Sequence, residues 1–148
     1  MRAINKIILH CAYTPEGREH NAQDIRNWHI KGNGWSDIGY HFVIKLDGTI
    51  ERGRPIEKIG AHCKGQNQGS IGVCYIGGMA KDNHTPKDTR TDAQKRSIVD
   101  LIKSLKVSFG EHITVHGHNE YSSKACPCFD VQQEYGFFNN GGSEDSCC

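Results

Sequence analysis

The sequence lacks both a long apolar run and a block of basic residues. Nothing in its 148 residues approaches the ~20 consecutive apolar positions that a membrane-spanning helix needs. Its formal net charge is +1, with no long run of lysine and arginine. Because nucleic-acid binding depends on dense positive charge, this composition gives it no electrostatic support. We therefore expect neither membrane insertion nor a nucleic-acid partner, and no protein partner is indicated.

The N-terminal residues do not predict a secretory signal peptide. The first residues, MRAINKIILHCAY, contain one short apolar patch that passes directly into a polar segment, and this is not the layout of a cleaved leader. We therefore expect synthesis in the cytoplasm. Any action outside the cytoplasm would then require a separate pore or a secretion system.

The cysteines fit neither a disulfide framework nor a closed zinc ribbon. There are seven, an odd number, whereas secreted disulfide scaffolds favour an even count behind a signal peptide. No two of them have the CxxC spacing of a four-cysteine structural zinc site. We therefore predict that most of the thiols are reduced. The role of the terminal pair Cys147-Cys148 is open.

Strand and helix patterns alternate along the chain. Apolar, β-branched runs predict strands at 6–10, 40–45, 49–52, 70–76 and 113–115. Asp47-Gly48 supplies a hairpin turn, and Thr91 with Gln94 forms a capping-box pattern before a long amphipathic helix. An earlier helix is predicted from Asn21, and a loop is predicted over 77–90. The order predicts an α/β fold with a central mixed β-sheet flanked by helices.

The length suits a single domain. Asp130 is a candidate N-cap for a last short helix that ends near Tyr135. We assign residues 1–137 to the domain. Residues 138–148 are rich in asparagine, glycine and serine, and they are predicted to be a polar, flexible tail.

Side chains that bind metals are concentrated near the C-terminus, in the stretch HGHNEYSSKACPCFD. His118 and Cys126 lie in it, and His10 lies at the end of a predicted strand, where open α/β sheets place their ligands. Imidazole and thiolate both suit Zn²⁺, and three protein ligands plus water is the catalytic arrangement. These residues are therefore candidate ligands of a catalytic zinc site.

Each candidate ligand also has an ordinary structural role open to it. His10 can end a strand with a hydrogen bond to the backbone, and Cys126 can be a small buried hydrophobic residue. His116 lies two residues before His118, so on a strand both would face the same side. The spacing alone does not choose between them.

Four segments resemble the zinc amidase family, the N-acetylmuramoyl-L-alanine amidases, which include phage lysozyme-type amidases and peptidoglycan recognition proteins. They are ILHCA around His10, GWSDIGYHFVIKLDGTIERGR over 34–54, GAHCKGQNQGSIGVCYIGG over 60–78, and HNEYSSKACPCFD over 118–130. The segments follow the order of the family and span most of residues 4–135. The resemblance implies a zinc site at one edge of the sheet.

The resemblance also implies a role for individual residues. It places the zinc ligands at His10, His118 and Cys126, which favours His118 over His116. It places the catalytic residues at Tyr40, in GYHF, and Lys124, in KACP. Without it, Tyr40 would be taken as a half-buried strand aromatic and Lys124 as a solvated surface lysine.

His62, in GAHCKG, is similar to a family position near the cleft and is predicted to bind substrate. His41 should point to the opposite face from Tyr40 and be structural, whereas His29 is predicted to lie on the surface. Trp28 and Trp35 are expected in the core or the cleft wall.

The implied reaction is hydrolysis of the amide bond between N-acetylmuramic acid and L-alanine of peptidoglycan, by attack of a metal-activated water. The alternatives are a peptidoglycan-binding module with little or no catalysis and a regulator of another protein. The complete set of ligand positions favours the enzyme. A lysis enzyme of a phage or prophage, an antibacterial effector and a recycling enzyme all stay open, as do the preferred stem peptide and the oligomeric state.

Overall fold

Short strands and helices alternate along residues 2–139, the part of the chain that the computed structural model describes. The strands are β1 (Lys6–Cys11), β2 (Thr14–Pro15), β3 (Phe42–Ile44), β4 (Ile50–Arg52), β5 (Ser70–Tyr75), β6 (Gly78–Met79) and β7 (Thr114–Gly117). The α-helices are α1 (Ala22–Asn33), α2 (Asp92–Phe109) and α3 (Val131–Tyr135), and 3-10 helices cover His118–Glu120 and Gly136–Asn139. The strands and helices predicted from the sequence are present, with small displacements at their ends.

The main sheet has five strands in the order β4-β3-β5-β1-β7. β1 is parallel to both β5 and β7, and β3 is parallel to β5, whereas the β3–β4 hairpin is antiparallel. This mixed sheet with helices packed on it confirms the predicted α/β class. Because β1 and β7 are parallel neighbours, their carboxyl ends meet at one edge of the sheet, where ligand sites of such folds are built.

The loop predicted over 77–90 is not entirely irregular. It contains β6, which pairs with β2 in a separate two-stranded parallel sheet. A strand of two residues has no alternation of apolar and polar positions, so the sequence pattern carries no signal for it.

One face of the main sheet is covered by α2. The buried apolar side chains of α2 pack against the sheet in the larger hydrophobic cluster. They are Ile98, Leu101, Ile102 and Leu105. The capping box predicted at its start is present, because the Thr91 hydroxyl accepts from the Gln94 N–H and the Gln94 side chain accepts from the Thr91 N–H. Burying each such aliphatic side chain stabilises the fold by about 1.5–3 kcal/mol.

The opposite face of the sheet is covered in part by α1. Ala22 and Ile25 pack there with Val43 and Cys74 in a smaller cluster. Asn21 caps the helix in a capping box, and Gly34 ends it with φ 71°, a left-handed conformation that glycine adopts without strain.

The C-terminal end of the described fold packs on β7. The Asn139 side chain accepts from the Val115 N–H at 2.7 Å and donates to the Val115 carbonyl at 2.9 Å. A 3-10 helix covers the last described residues, Gly136–Asn139. The boundary at 137 stays a prediction. The rest of the predicted tail, with Cys147-Cys148, lies outside the described residues.

No helix within residues 2–139 is long and apolar enough to cross a membrane. In the same part of the chain the free thiols are those of Cys11, Cys63, Cys74, Cys126 and Cys128.

Candidate metal centre

The three predicted metal ligands come together at one edge of the sheet. His10 is the penultimate residue of β1, His118 begins the 3-10 helix that follows β7, and Cys126 lies in the next loop. One ligand atom from each residue lies within 4.8 Å of the other two. Residues that are more than 100 positions apart in the sequence thus form one cluster, because β1 and β7 are adjacent.

The protonation states of Cys126 and His10 suit a zinc ion. Hydrogen bonding with Cys11, and then with His10 and His118, lowers the pKa of the Cys126 thiol well below its usual value, against the opposing effect of burial. Burial lowers the pKa of His10, so this imidazole is neutral at pH 7. Thiolate and neutral imidazole are the forms that bind Zn²⁺. The donor set therefore fits that ion.

His116 does not belong to this cluster, although it lies two residues before His118. Its Nδ1 is 3.0 Å from a carboxylate oxygen of Glu120, and its Nε2 is 2.8 Å from the Thr114 hydroxyl. The same carboxylate group accepts from the Gly117 N–H at 2.8 Å, which fixes the start of the 3-10 helix. His118, on that helix, is thereby directed to the metal cluster.

The loop that carries Cys126 is held by two tyrosines, the half-buried Tyr13 and the buried Tyr75. The Tyr13 hydroxyl accepts from the Cys126 N–H at 2.8 Å, and the Tyr75 hydroxyl donates to the Pro127 carbonyl at 2.7 Å. A buried guanidinium, that of Arg90, stacks at 3.5 Å on the ring of Phe129 further along the loop. The position of the thiolate is therefore set by the fold and does not depend on the metal alone.

A cleft of about 610 Å³ opens beside the cluster. It is lined by His29, Trp35, Tyr40, Ala61, His62, Cys63, Lys64, Asn67, His118, Tyr121, Ser122 and Lys124. The cleft thus brings together one candidate ligand and all three other residues that the sequence predicts for the site.

Tyr40, Lys124 and His62 have different surroundings in this cleft. The ring of Tyr40 is 5.0 Å from that of His10, and burial raises the pKa of its phenol well above the usual value. Lys124 is exposed, and its backbone N–H donates to the Ser122 hydroxyl at 3.1 Å. His62 is half-buried, with its Nδ1 2.8 Å from the Nε2 of His10.

A family comparison decides what this cleft belongs to. The sequence profile of the family described as N-acetylmuramoyl-L-alanine amidase matches residues 1–129. The chain belongs to this amidase family. Its activity is hydrolysis of the amide bond between N-acetylmuramic acid and L-alanine, and its substrate is peptidoglycan.

Individual relatives agree with this assignment. The amidase is 41% identical over 132 residues to the endolysin of Escherichia phage T7, which covers 88% of this chain and 85% of the relative. It is 40% identical over 130 residues to the endolysin of Klebsiella phage KP32, with 87% and 83% covered. The solved structure of the N-acetylmuramoyl-L-alanine amidase LysC from Clostridium intestinale matches with a TM-score of 0.70 at 30% identity, covering 85% of this chain and 77% of the other.

One histidine of the amidase that was predicted to lie on the surface lines the cleft instead. His29 lines the cleft, its Nδ1 accepts from the Gly39 N–H at 2.9 Å, and its ring centroid is 4.8 Å from that of Trp35. It ends up there because α1 stops at Gly34 and the chain turns back along the helix. That reversal is a tertiary feature, so helical periodicity gives no sign of it.

Of the remaining predictions about aromatic and histidine side chains, those for Trp35 and His41 are confirmed and that for Trp28 is wrong. Trp35 lines the cleft as predicted, whereas Trp28 is 42% exposed and lies outside both core clusters. His41 is buried and structural, as predicted, since its Nδ1 accepts from the Gly72 N–H and its Nε2 donates to the Lys58 carbonyl.

Proposed function

We propose that this amidase is zinc-dependent and that His10, His118 and Cys126 hold the ion. The observation that carries the proposal is the mutual approach of their ligand atoms within 4.8 Å. The low pKa of the Cys126 thiol supports it, because a buried thiolate requires a positive partner. When bound, zinc supplies Lewis acidity, which lowers the pKa of a water from about 15.7 to about 7 and polarises a carbonyl.

Lys124 has the chemistry to stabilise the transition state. Negative charge develops on the scissile carbonyl oxygen as the amide carbon becomes tetrahedral. An ammonium group on the wall of the cleft, two residues before the thiolate ligand, can donate to that oxygen. A donor in such a position typically contributes about 2.7–4 kcal/mol to transition-state stabilisation.

Tyr40 is suited to orient the attacking water. Because burial raises the pKa of its phenol, the hydroxyl stays protonated at neutral pH and is a poor base. It can still donate or accept a hydrogen bond beside His10, whose ring is 5.0 Å away. We assign it to positioning the water and to assisting the proton transfer that accompanies attack.

For His62, contact with the substrate stays a prediction. The ring lines the cleft, but each of its nitrogens already lies within hydrogen-bond distance of a protein atom. A substrate group would therefore meet the carbon edge of the ring unless one of these bonds is broken.

Peptidoglycan as substrate places the action of the enzyme at the cell wall. Its delivery there through a separate pore or secretion system remains a proposal. The test is to produce the protein in cells with and without such a pore and to follow lysis by culture turbidity. We expect lysis only where the pore is present.

The experiment that tests the proposed function joins turnover to metal content. Purified protein is incubated with isolated peptidoglycan, and newly exposed L-alanine amino groups are counted. We expect release, its loss after treatment with EDTA, and its return when Zn²⁺ is added. His118→Ala should lose both zinc and turnover, whereas His84→Ala, at an exposed loop histidine, should lose neither. Full turnover by protein shown to be free of metal would refute zinc dependence.

A further inference from the structure

The two ring nitrogens of His10 face different partners. Nδ1 points to the Cys126 thiolate, with 3.9 Å between Nδ1 and Sγ. Nε2 points away from the cluster and lies 2.8 Å from Nδ1 of His62. The side chain is 1% exposed, so water does not supply a partner for either nitrogen. If Nδ1 binds the metal, Nε2 must carry the proton and donate it to His62.

The partners of the second ring nitrogen of His62, Nε2, determine which nitrogen of each histidine carries the proton. Its Nε2 is 3.2 Å from the Ser70 hydroxyl oxygen, and that hydroxyl donates to the Asn67 carbonyl at 3.2 Å. A carbonyl only accepts, so the serine proton is used there and its oxygen accepts from Nε2 of His62. Neutral His62 is then an acceptor at Nδ1. The chain of bonds therefore leaves the lone pair of His10 on Nδ1, the nitrogen that faces the thiolate.

The ring of His62 packs closely against the backbone of two glycines. A Cβ atom built on Gly72, in the central strand β5, would lie 2.6 Å from Cγ of His62. A Cβ atom on Gly60 would lie 2.8 Å from Cδ2 of the same ring. The backbone of the residue is fixed as well, because its N–H donates to the Asn67 side chain at 2.8 Å. The ring therefore has little freedom to turn towards the cleft.

We propose that His62 is a positioning residue that fixes the tautomer and the orientation of His10 for metal binding, with Ser70 fixing His62 in turn. The inference rests on the proposed zinc dependence. It predicts an effect on metal affinity in the absence of any substrate. Partners of this kind, behind a ligating histidine, typically contribute about 10–100-fold to metal affinity.

The test measures zinc dissociation constants by competition with a fluorescent chelator. We expect His62→Ala to bind Zn²⁺ about 10–100-fold more weakly than the unsubstituted protein. His62→Asn should recover most of that loss, because its amide oxygen lies near the position of Nδ1 and can accept from His10. Ser70→Ala should show a smaller loss than His62→Ala. Matched controls are His84→Ala and Ser104→Ala, both at exposed positions, which should bind zinc normally.

Two results would overturn the inference. One is unchanged zinc affinity in His62→Ala together with a raised KM, which would make the residue a substrate contact. The other is an equal loss in His62→Ala and His62→Asn, which would remove the hydrogen bond as the cause. Melting of the metal-free variants separates these results from misfolding. Failure of the proposed function itself would appear differently, as an unsubstituted protein that binds no zinc or cleaves without it.

Discussion

The two faces of the central sheet differ in the side chains that they bury. On the face towards α2, residues such as Leu9 and Val73 belong to the larger hydrophobic cluster. On the other face, His10 and His62 are buried or half-buried and each needs hydrogen-bond partners. Truncating an apolar side chain leaves a cavity, whereas removing one partner of a buried hydrogen bond leaves the other partner unsatisfied. Substitutions on the two faces should therefore separate stability from metal binding.

The same contrast exists within β1 itself. Successive side chains of a strand point to opposite faces, so Leu9 enters the core and the next residue, His10, enters the metal cluster. The strand thereby connects the site to the larger hydrophobic cluster. A ligand in such a position does not require the metal in order to be placed.

Cys126→Ser should have the largest effect and should act on the cluster alone. A serine hydroxyl stays protonated at neutral pH, so the variant loses the negative ligand. We expect no stoichiometric zinc and no detectable release of L-alanine amino groups, with metal-free protein that still folds. Metal analysis and circular dichroism measure the two properties. Zinc retained at one ion per chain would contradict the assignment of this ligand.

Ile102→Ala tests the opposite face. The side chain is 1% exposed in the core under α2, and its truncation should cost about 2–5 kcal/mol of unfolding free energy. Zinc affinity of the folded protein should not change, because α2 supplies none of the candidate ligands. Urea unfolding gives the first quantity and chelator competition the second. Lys103→Ala, on the exposed side of the same helix, is the control and should change stability by less than about 0.5 kcal/mol.

Lys124→Ala should separate chemistry from metal binding within the site. We expect kcat to fall by about 10²–10³-fold, the usual cost of losing one donor to the developing oxyanion. Zinc content should stay at that of the unsubstituted protein, since the lysine is not a ligand. The control is Lys103→Ala, which should turn over normally. An equal fall in zinc content and in kcat would show that Lys124 supports the metal cluster instead.

The sequence predicts features that depend on neighbours along the chain. α2 is one example, because its apolar spacing and its Thr91–Gln94 capping box are local. The ligand set is another kind of prediction, since it came from resemblance and not from spacing. Spacing treated His116 and His118 as equivalent. The structure separates them because β7 ends at Gly117, so His118 begins a 3-10 helix and strand alternation no longer applies.

Contacts between distant segments were beyond the reach of sequence patterns. The bond between His10 and His62 joins residues 52 positions apart, and its geometry depends on a glycine in the central strand. The position of His29 depends in the same way on how the chain returns after α1. Such contacts are set by the tertiary packing, so no local periodicity predicts them.

Thr91→Ala should have the smallest effect, and it should act on the face of the sheet that α2 covers. The hydroxyl caps α2 by accepting from the Gln94 N–H at 3.0 Å, and it donates to the Leu46 carbonyl at 2.7 Å. Its removal should cost about 0.5–2 kcal/mol of unfolding free energy, with kcat and zinc affinity unchanged. Thr91→Ser keeps the hydroxyl and should retain most of the stability. If Thr91→Ala instead weakened zinc binding, the two faces of the sheet would be coupled, and the separation of stability from metal binding would fail at its least perturbing test.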